Sequence, residues 1–215
     1  MKWIEQLQFA NWFQATGCAL AAYLLGCFAV GYYLVRTRIG KDIREIQSGS
    51  VGARNVGRVL GKSGFIMTLL CDSGKGALAV WLVLKWTNDN RLALLAMLAV
   101  VAGHIWPVQL RFRGGKGVAT SLGALLVFDY RIVLTLSALF LAGFVLTRKT
   151  FFPGMIAFAC LPLVGWFFEC SNSAVTLLAV LSAAILFAHR KNLADEFAAL
   201  GARRAATEKP EQPKL

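Results

Sequence analysis

The chain has 215 residues, of which 57% are hydrophobic and only 16% charged, with a formal net charge of +12 and a mean hydropathy of +0.60. A soluble domain carries roughly 25% charged residues, so this balance excludes one and points to a multi-pass membrane protein. The basic excess comes without an RNA-type aromatic motif or basic recognition helix, which argues against nucleic acid. Five scattered cysteines in apolar surroundings argue against a disulfide framework or a zinc site.

The opening "MKWIEQLQFANWFQ" is aromatic and mixed in polarity, with no small-residue cleavage site, and so does not read as a cleavable signal. Apolar stretches then predict an all-α helical bundle of about seven transmembrane helices, near 15–35, 64–86, 92–108, 117–128, 131–147, 152–169 and 173–188. Several are shorter than the ~20 residues that cross a bilayer. The segment 117–128 is the shortest and reads equally as a half-helix lining a cavity, so five or six crossings remain open. The expected organisation is a single membrane domain over 1–192 and a cytoplasmic tail over 193–215, disordered at its polar end "AATEKPEQPKL".

Most of the 23 basic residues fall into alternate loops and the tail. The positive-inside bias therefore places the N-terminus outside and the C-terminus in the cytoplasm. It also puts three polar segments on one inner face. In the first, "SGSVGARNVGR" (48–58), Gly49 and Gly52 free the backbone while Ser48, Arg54, Asn55 and Arg58 offer hydroxyl, amide and guanidinium donors to an anion. In the second, "GHIWPVQLRFRGGKG" (103–117), Lys116 supplies a point charge among Gly114, Gly115 and Gly117, and His104 closes the preceding apolar span. A helix starting after Gly117 would add its N-terminal amides. In the third, "AHRKN" (188–192), His189 and Asn192 share a face if the helix continues. Each segment alone also reads as an ordinary basic membrane loop, and either histidine as a structural one.

Asp72 and Lys75 lie inside the second apolar run, three residues apart, and are expected to pair as structural support. The "GKS" at 61–63 is not a P-loop, because Val56 stands where its first glycine belongs. A His-x4-Asp pair is missing at His189, where the position after four intervening residues holds Ala194 and Asp195 comes one place late. The chain therefore offers anion binders and no evident nucleophile–base pair.

Together these segments resemble the PlsY family of bacterial membrane acyltransferases over about residues 24–192. "SGSVGARNVGR" is similar to the family's S-G-N-x-G-A-T-N-x-x-R, with Ser50 and Arg54 in place of Asn and Thr. "GHIWPVQLRFRGGKGVAT" matches the long second motif throughout, "DSGKGA" is similar to its Asp-x-x-Lys-Gly, and "HRKN" matches the start of the last motif. "LTRKTFFPGM" lacks the serines that the family places there, and the tail lacks its later Gly-Thr-Glu. The resemblance implies seven helices, a site near the cytoplasmic face of the bacterial inner membrane, and no cofactor or metal. It also implies transfer of an acyl chain from acyl phosphate to the sn-1 hydroxyl of glycerol 3-phosphate, giving lysophosphatidic acid. Ser48, Arg58, Lys116, His104 and His189 would be its catalytic residues; Gly49, Gly52, Arg54, Asn55, Gly114, Gly115, Gly117 and Asn192 would bind substrate phosphate. A relative with a different acceptor or no turnover, and a transporter of anionic solutes, are the alternatives.

Overall fold

A computed structural model of the chain describes residues 12–168 and 170–207. It is α-helical with no strand among the described residues. The helices are α1 (Trp12–Cys27), α2 (Val30–Ile39), α3 (Ala53–Thr87), α4 (Asn90–Ile105), α5 (Val118–Phe128), α6 (Tyr130–Thr147), α7 (Phe151–Ala159), α8 (Leu161–Phe167), α9 (Asn172–Ala188) and α10 (Arg190–Thr207).

All seven apolar segments expected from the sequence are helical, but they are unequal. Trp12–Ile39, Ala53–Thr87, Asn90–Leu110 and Tyr130–Thr147 are long and apolar enough to cross a membrane. A fifth is gained if α9 and the start of α10, bent by 58°, count as one broken span. Val118–Phe128 has only 11 residues, about 16 Å of helix at 1.5 Å per residue, roughly half a hydrocarbon core. The stretch 151–167 is two short helices meeting at Cys160. The helix α10 runs to Thr207, and the polar end of the predicted tail, from 208 on, lies outside the described residues.

Close approach of backbones holds the centre together. A Cβ on Gly26 or Gly103 would overlap the backbone of the facing helix, at Val100 and Tyr23 respectively, so α1 and α4 touch through glycines. Gly76 and Gly123 do the same for α3 and α5, against the carbonyls of Thr120 and Ser73. In lipid, where apolar burial gives little drive, such small-residue contacts and the dispersion they permit dominate helix association. Around α4 the core is filled by Leu94, Met97, Val100, Leu125, Ile132 and Leu178. By contrast α6 buries only Ile132 and Leu136 and exposes Leu134, Leu141, Val145 and Leu146, as a lipid-facing helix does.

Two breaks carry polar consequences. Between α1 and α2, the carbonyl of Phe28 accepts a bond from Lys75 Nζ at 2.9 Å, and that of Cys27 accepts one from Gln109. Lys75 is thus a buried donor for a carbonyl at the helix break, with Asp72 as its counter-charge at 3.0 Å. Within α3, Gly61 adopts φ +73°, a conformation open to glycine, and separates a basic first stretch from the apolar remainder.

Candidate active site

The three polar segments converge. One cavity of about 620 Å³ is lined by Ser48, Gly52, Arg54, Asn55 and Arg58 from the first, by His104, Lys116 and Gly117 from the second, and by His189 and Asn192 from the third. Its inner wall is apolar, with Leu122, Phe140, Met155 and Phe158 among the residues facing it. The alternation of helices explains the meeting: α3, α5 and α7 begin, and α4 and α9 end, at the same side of the bundle.

The loop before α3 is knitted by Asn55. Its Nδ2 donates to the carbonyls of Ser50 at 2.9 Å and Ile46 at 3.1 Å, and its Oδ1 accepts from the Ser48 amide at 3.3 Å. Asn55 is 2% exposed, and its amide is committed to the backbone. In this structure the side chain holds Ser48 and the loop against the start of α3, and the residue also lines the cavity. Ser50 Oγ accepts from the Gly52 amide at 3.3 Å and so ties the turn that starts α3. Gly49 has φ +67° and donates its amide to Ile46, away from the cavity lining.

The second loop shows a similar division. The amides of Gly114 and Gly115, expected to face phosphate, donate to the carbonyls of Ile105 at 3.1 Å and His104 at 3.0 Å in this structure. These two glycines are small because the loop folds back on the end of α4: a Cβ on Gly115 would overlap His104 Nε2. Gly117, at φ +82°, turns the chain into α5, whose first residues Val118 and Ala119 line the cavity. Lys116 also lines the cavity and donates to Asn192 Oδ1 at 2.7 Å.

Electrostatically the rim is mainly cationic, with Asp195 near enough to offset in part the charges around Lys116. No ion pair among the described residues involves Arg54, Arg58 or Lys116. Burial, and then the positive charges of Arg54 and Arg58, push the Lys116 amine below the ordinary lysine range. Arg54 reaches across the mouth to Thr150 Oγ1 at 3.3 Å, a partner that the sequence did not single out. Asp72, expected chiefly as structural support, also reaches this cavity, with its Oδ1 3.4 Å from His104 Nδ1. Helix pairing brings together two groups that lie 32 positions apart, which no local spacing discloses.

His189 and Asn192 do not sit on one continuous helix. The chain bends at His189 between α9 and α10, yet both side chains line the cavity. His189 Nδ1 lies 2.8 Å from the Ile185 carbonyl, which makes it the donor and leaves Nε2 as the acceptor of the neutral ring. Among the described residues no cluster of His, Cys, Asp or Glu is arranged to hold a metal ion.

Comparison with known proteins identifies the family. Residues 16–199 match the family model described as glycerol-3-phosphate acyltransferase. A relative from Desulfitobacterium hafniense, glycerol-3-phosphate acyltransferase 1, is 44% identical over 174 residues, 81% of this chain and 86% of its own length. A protein of the same description from Bacillus cereus is 40% identical, covering 80% of this chain and 92% of the relative. The crystal structure of PlsY (YgiH), an integral membrane glycerol 3-phosphate acyltransferase, in its glycerol 3-phosphate form superposes with a TM-score of 0.79 at 29% identity, over 86% of this chain and 92% of that one. Its lysophosphatidic acid form gives 0.76 at 28% identity with the same coverage. This chain is an integral membrane protein of the glycerol-3-phosphate acyltransferase family.

Proposed function

We propose that the protein transfers a fatty acyl chain from an acyl phosphate to the sn-1 hydroxyl of glycerol 3-phosphate, releasing lysophosphatidic acid and inorganic phosphate. The observation that carries this reading is the cavity itself: Arg54, Arg58 and Lys116 line it with no ion-pair partner among the described residues, while much of its remaining lining is apolar. Such a space suits two phosphates and one hydrocarbon chain. The relatives' descriptions supply the acceptor, and the PlsY crystal forms were solved with glycerol 3-phosphate and with lysophosphatidic acid.

In this mechanism the acceptor's hydroxyl oxygen bonds to the acyl carbon, and the bond from that carbon to the phosphate oxygen breaks. Phosphate leaves with the electron pair, and the hydroxyl proton ends on it, so the step needs no dedicated nucleophile or base. The protein's work is to hold both substrates with reacting atoms in contact and to stabilise negative charge on the carbonyl and departing phosphate through fixed cations and amides. Lys116 and Arg58 take phosphate oxygens, Ser48 and the Val118–Ala119 amides add donors, and His189 offers a ring nitrogen beside them. The acyl chain lies along Leu122, Phe140, Met155 and Phe158. On this reading the site lies at the cytoplasmic face of a bacterial inner membrane, with the N-terminus outside and the C-terminus inside, an orientation that the positive-inside bias of the loops supports.

The test is a donor comparison with the purified protein in detergent. Acyl phosphate plus glycerol 3-phosphate yields lysophosphatidate and one phosphate per turnover, whereas acyl-coenzyme A yields none. Product from acyl-coenzyme A alone, or no lysophosphatidate from either donor, contradicts the assignment.

A further inference from the structure

We propose that Asp72 is a positioning residue for phosphate capture: through the His104 ring it fixes the loop that presents Lys116. Asp72, Lys75 and His104 form a buried group where α3 meets the end of α4, at 2%, 7% and 3% exposure. Lys75 is occupied by the Phe28 carbonyl at the α1–α2 break and neutralises the carboxylate. Asp72 Oδ1, the oxygen that Lys75 Nζ contacts at 3.0 Å, also lies 3.4 Å from His104 Nδ1. Neither Oδ1 nor Nδ1 has an aligned hydrogen bond, so each faces the other as its nearest opposite group across the helix pair. The far side of the ring meets the loop, since a Cβ on Gly115 would overlap Nε2. The backbone locks the same contact, because the Gly115 amide donates to the His104 carbonyl.

Lys116 is the next residue. It stands half-buried close to Arg54 and Arg58, whose charges repel it. Against that repulsion the structure supplies a bond to Asn192 in front and the ring wedged behind Gly115. An imidazole free to turn about its own bond is a poor wedge. A buried carboxylate on one nitrogen fixes its orientation, as outer-shell carboxylates do for functional histidines. Asp72 thus connects the fold's broken first span to the cation that meets phosphate, without touching phosphate itself.

This inference rests on the proposed reading of the cavity, and the experiment separates the two. Glycerol 3-phosphate is titrated calorimetrically into detergent-purified wild type, Asp72→Asn, Lys116→Ala and the double variant, with the thermal midpoint of each. Asp72→Asn is expected to weaken binding by on the order of tenfold, the scale of a lost positioning contact. In the Lys116→Ala background the same change is expected to shift affinity by less than about twofold, because coupled residues lose the same interaction only once. Asp72→Asn leaves Lys75 unpaired. Where that variant does not purify folded, Gly115→Ala, which displaces the ring and keeps both charges, is read in the same two backgrounds. Unchanged affinity, or equal weakening with and without Lys116, overturns the positioning role. A wild type that binds no glycerol 3-phosphate overturns the reading of the cavity instead.

Discussion

The rim of the cavity and the buried group behind it hold charges of the same kinds to opposite ends. At the rim Arg54, Arg58 and Lys116 converge with no ion-pair partner among the described residues. A few residues deeper, Asp72 and Lys75 are matched at 3.0 Å, and Lys75 is further bound to a backbone carbonyl. Charges taken out of water persist when paired or aimed at a ligand. The inner pair is therefore part of the fold, whereas the outer cations are stabilised by what arrives. Substitutions at the two places should differ in kind: at the rim they lower turnover and leave stability intact, whereas at the inner pair they lower stability and reach phosphate only through Lys116.

The largest expected effect is at the rim. Lys116→Ala should lower kcat/KM by about 10²–10³, the usual loss for one preorganised charge-stabilising donor, with a thermal midpoint close to wild type. Steady-state assay beside thermal melting checks both halves, and a matching loss of stability would erase the contrast. Asn55→Ala is the reverse case. It strips the loop 43–50 of the amide that ties it to α3 and should cost roughly 1–3 kcal/mol of stability, read as a lower melting midpoint in detergent.

A smaller effect concerns pH. Since burial and its arginine neighbours lower the Lys116 pKa, the unfolded chain keeps this proton to higher pH than the folded protein. Between the folded and unfolded values, stability contributed by this group rises with pH while attraction for phosphate falls. The KM for glycerol 3-phosphate should therefore climb on the alkaline side, below the pH at which an ordinary lysine titrates. Lys116→Arg, which keeps its charge, should flatten that rise in a pH–KM profile. The smallest effect is at the mouth. Thr150→Ala removes one exposed 3.3 Å bond to Arg54 and should change kcat/KM by about twofold or less; a larger loss would make Arg54 part of the fixed site.

Legibility in the sequence follows the same division. The rim was readable because its residues stand in glycine-rich breaks between apolar runs, where a membrane chain has no packing reason to gather hydroxyls and arginines. What the glycines and amides do was less readable. Asn55, Gly114 and Gly115 share those segments, yet their polar groups serve the backbone, and composition does not distinguish an amide that faces a ligand from one that closes a turn. The Asp72–Lys75 pair followed from helical spacing, but its link to His104 depends on α3 packing against α4, which one helix's periodicity does not contain. The apolar runs located helical segments and not which of them cross or where they break. The breaks at 28–29, 160 and 189 depend on tertiary packing and on partners such as Lys75 and Gln109.

The central claim is that this converged, unpaired positive rim receives the acceptor's phosphate. Its most direct test is the affinity of the purified protein for glycerol 3-phosphate at low and high salt, measured for wild type, Arg58→Ala and Lys116→Ala. The account predicts binding by the wild type that weakens as salt screens the rim, and a loss of at least about tenfold in each variant, the scale of one charge-assisted contact. Equal affinity in all three proteins would contradict it.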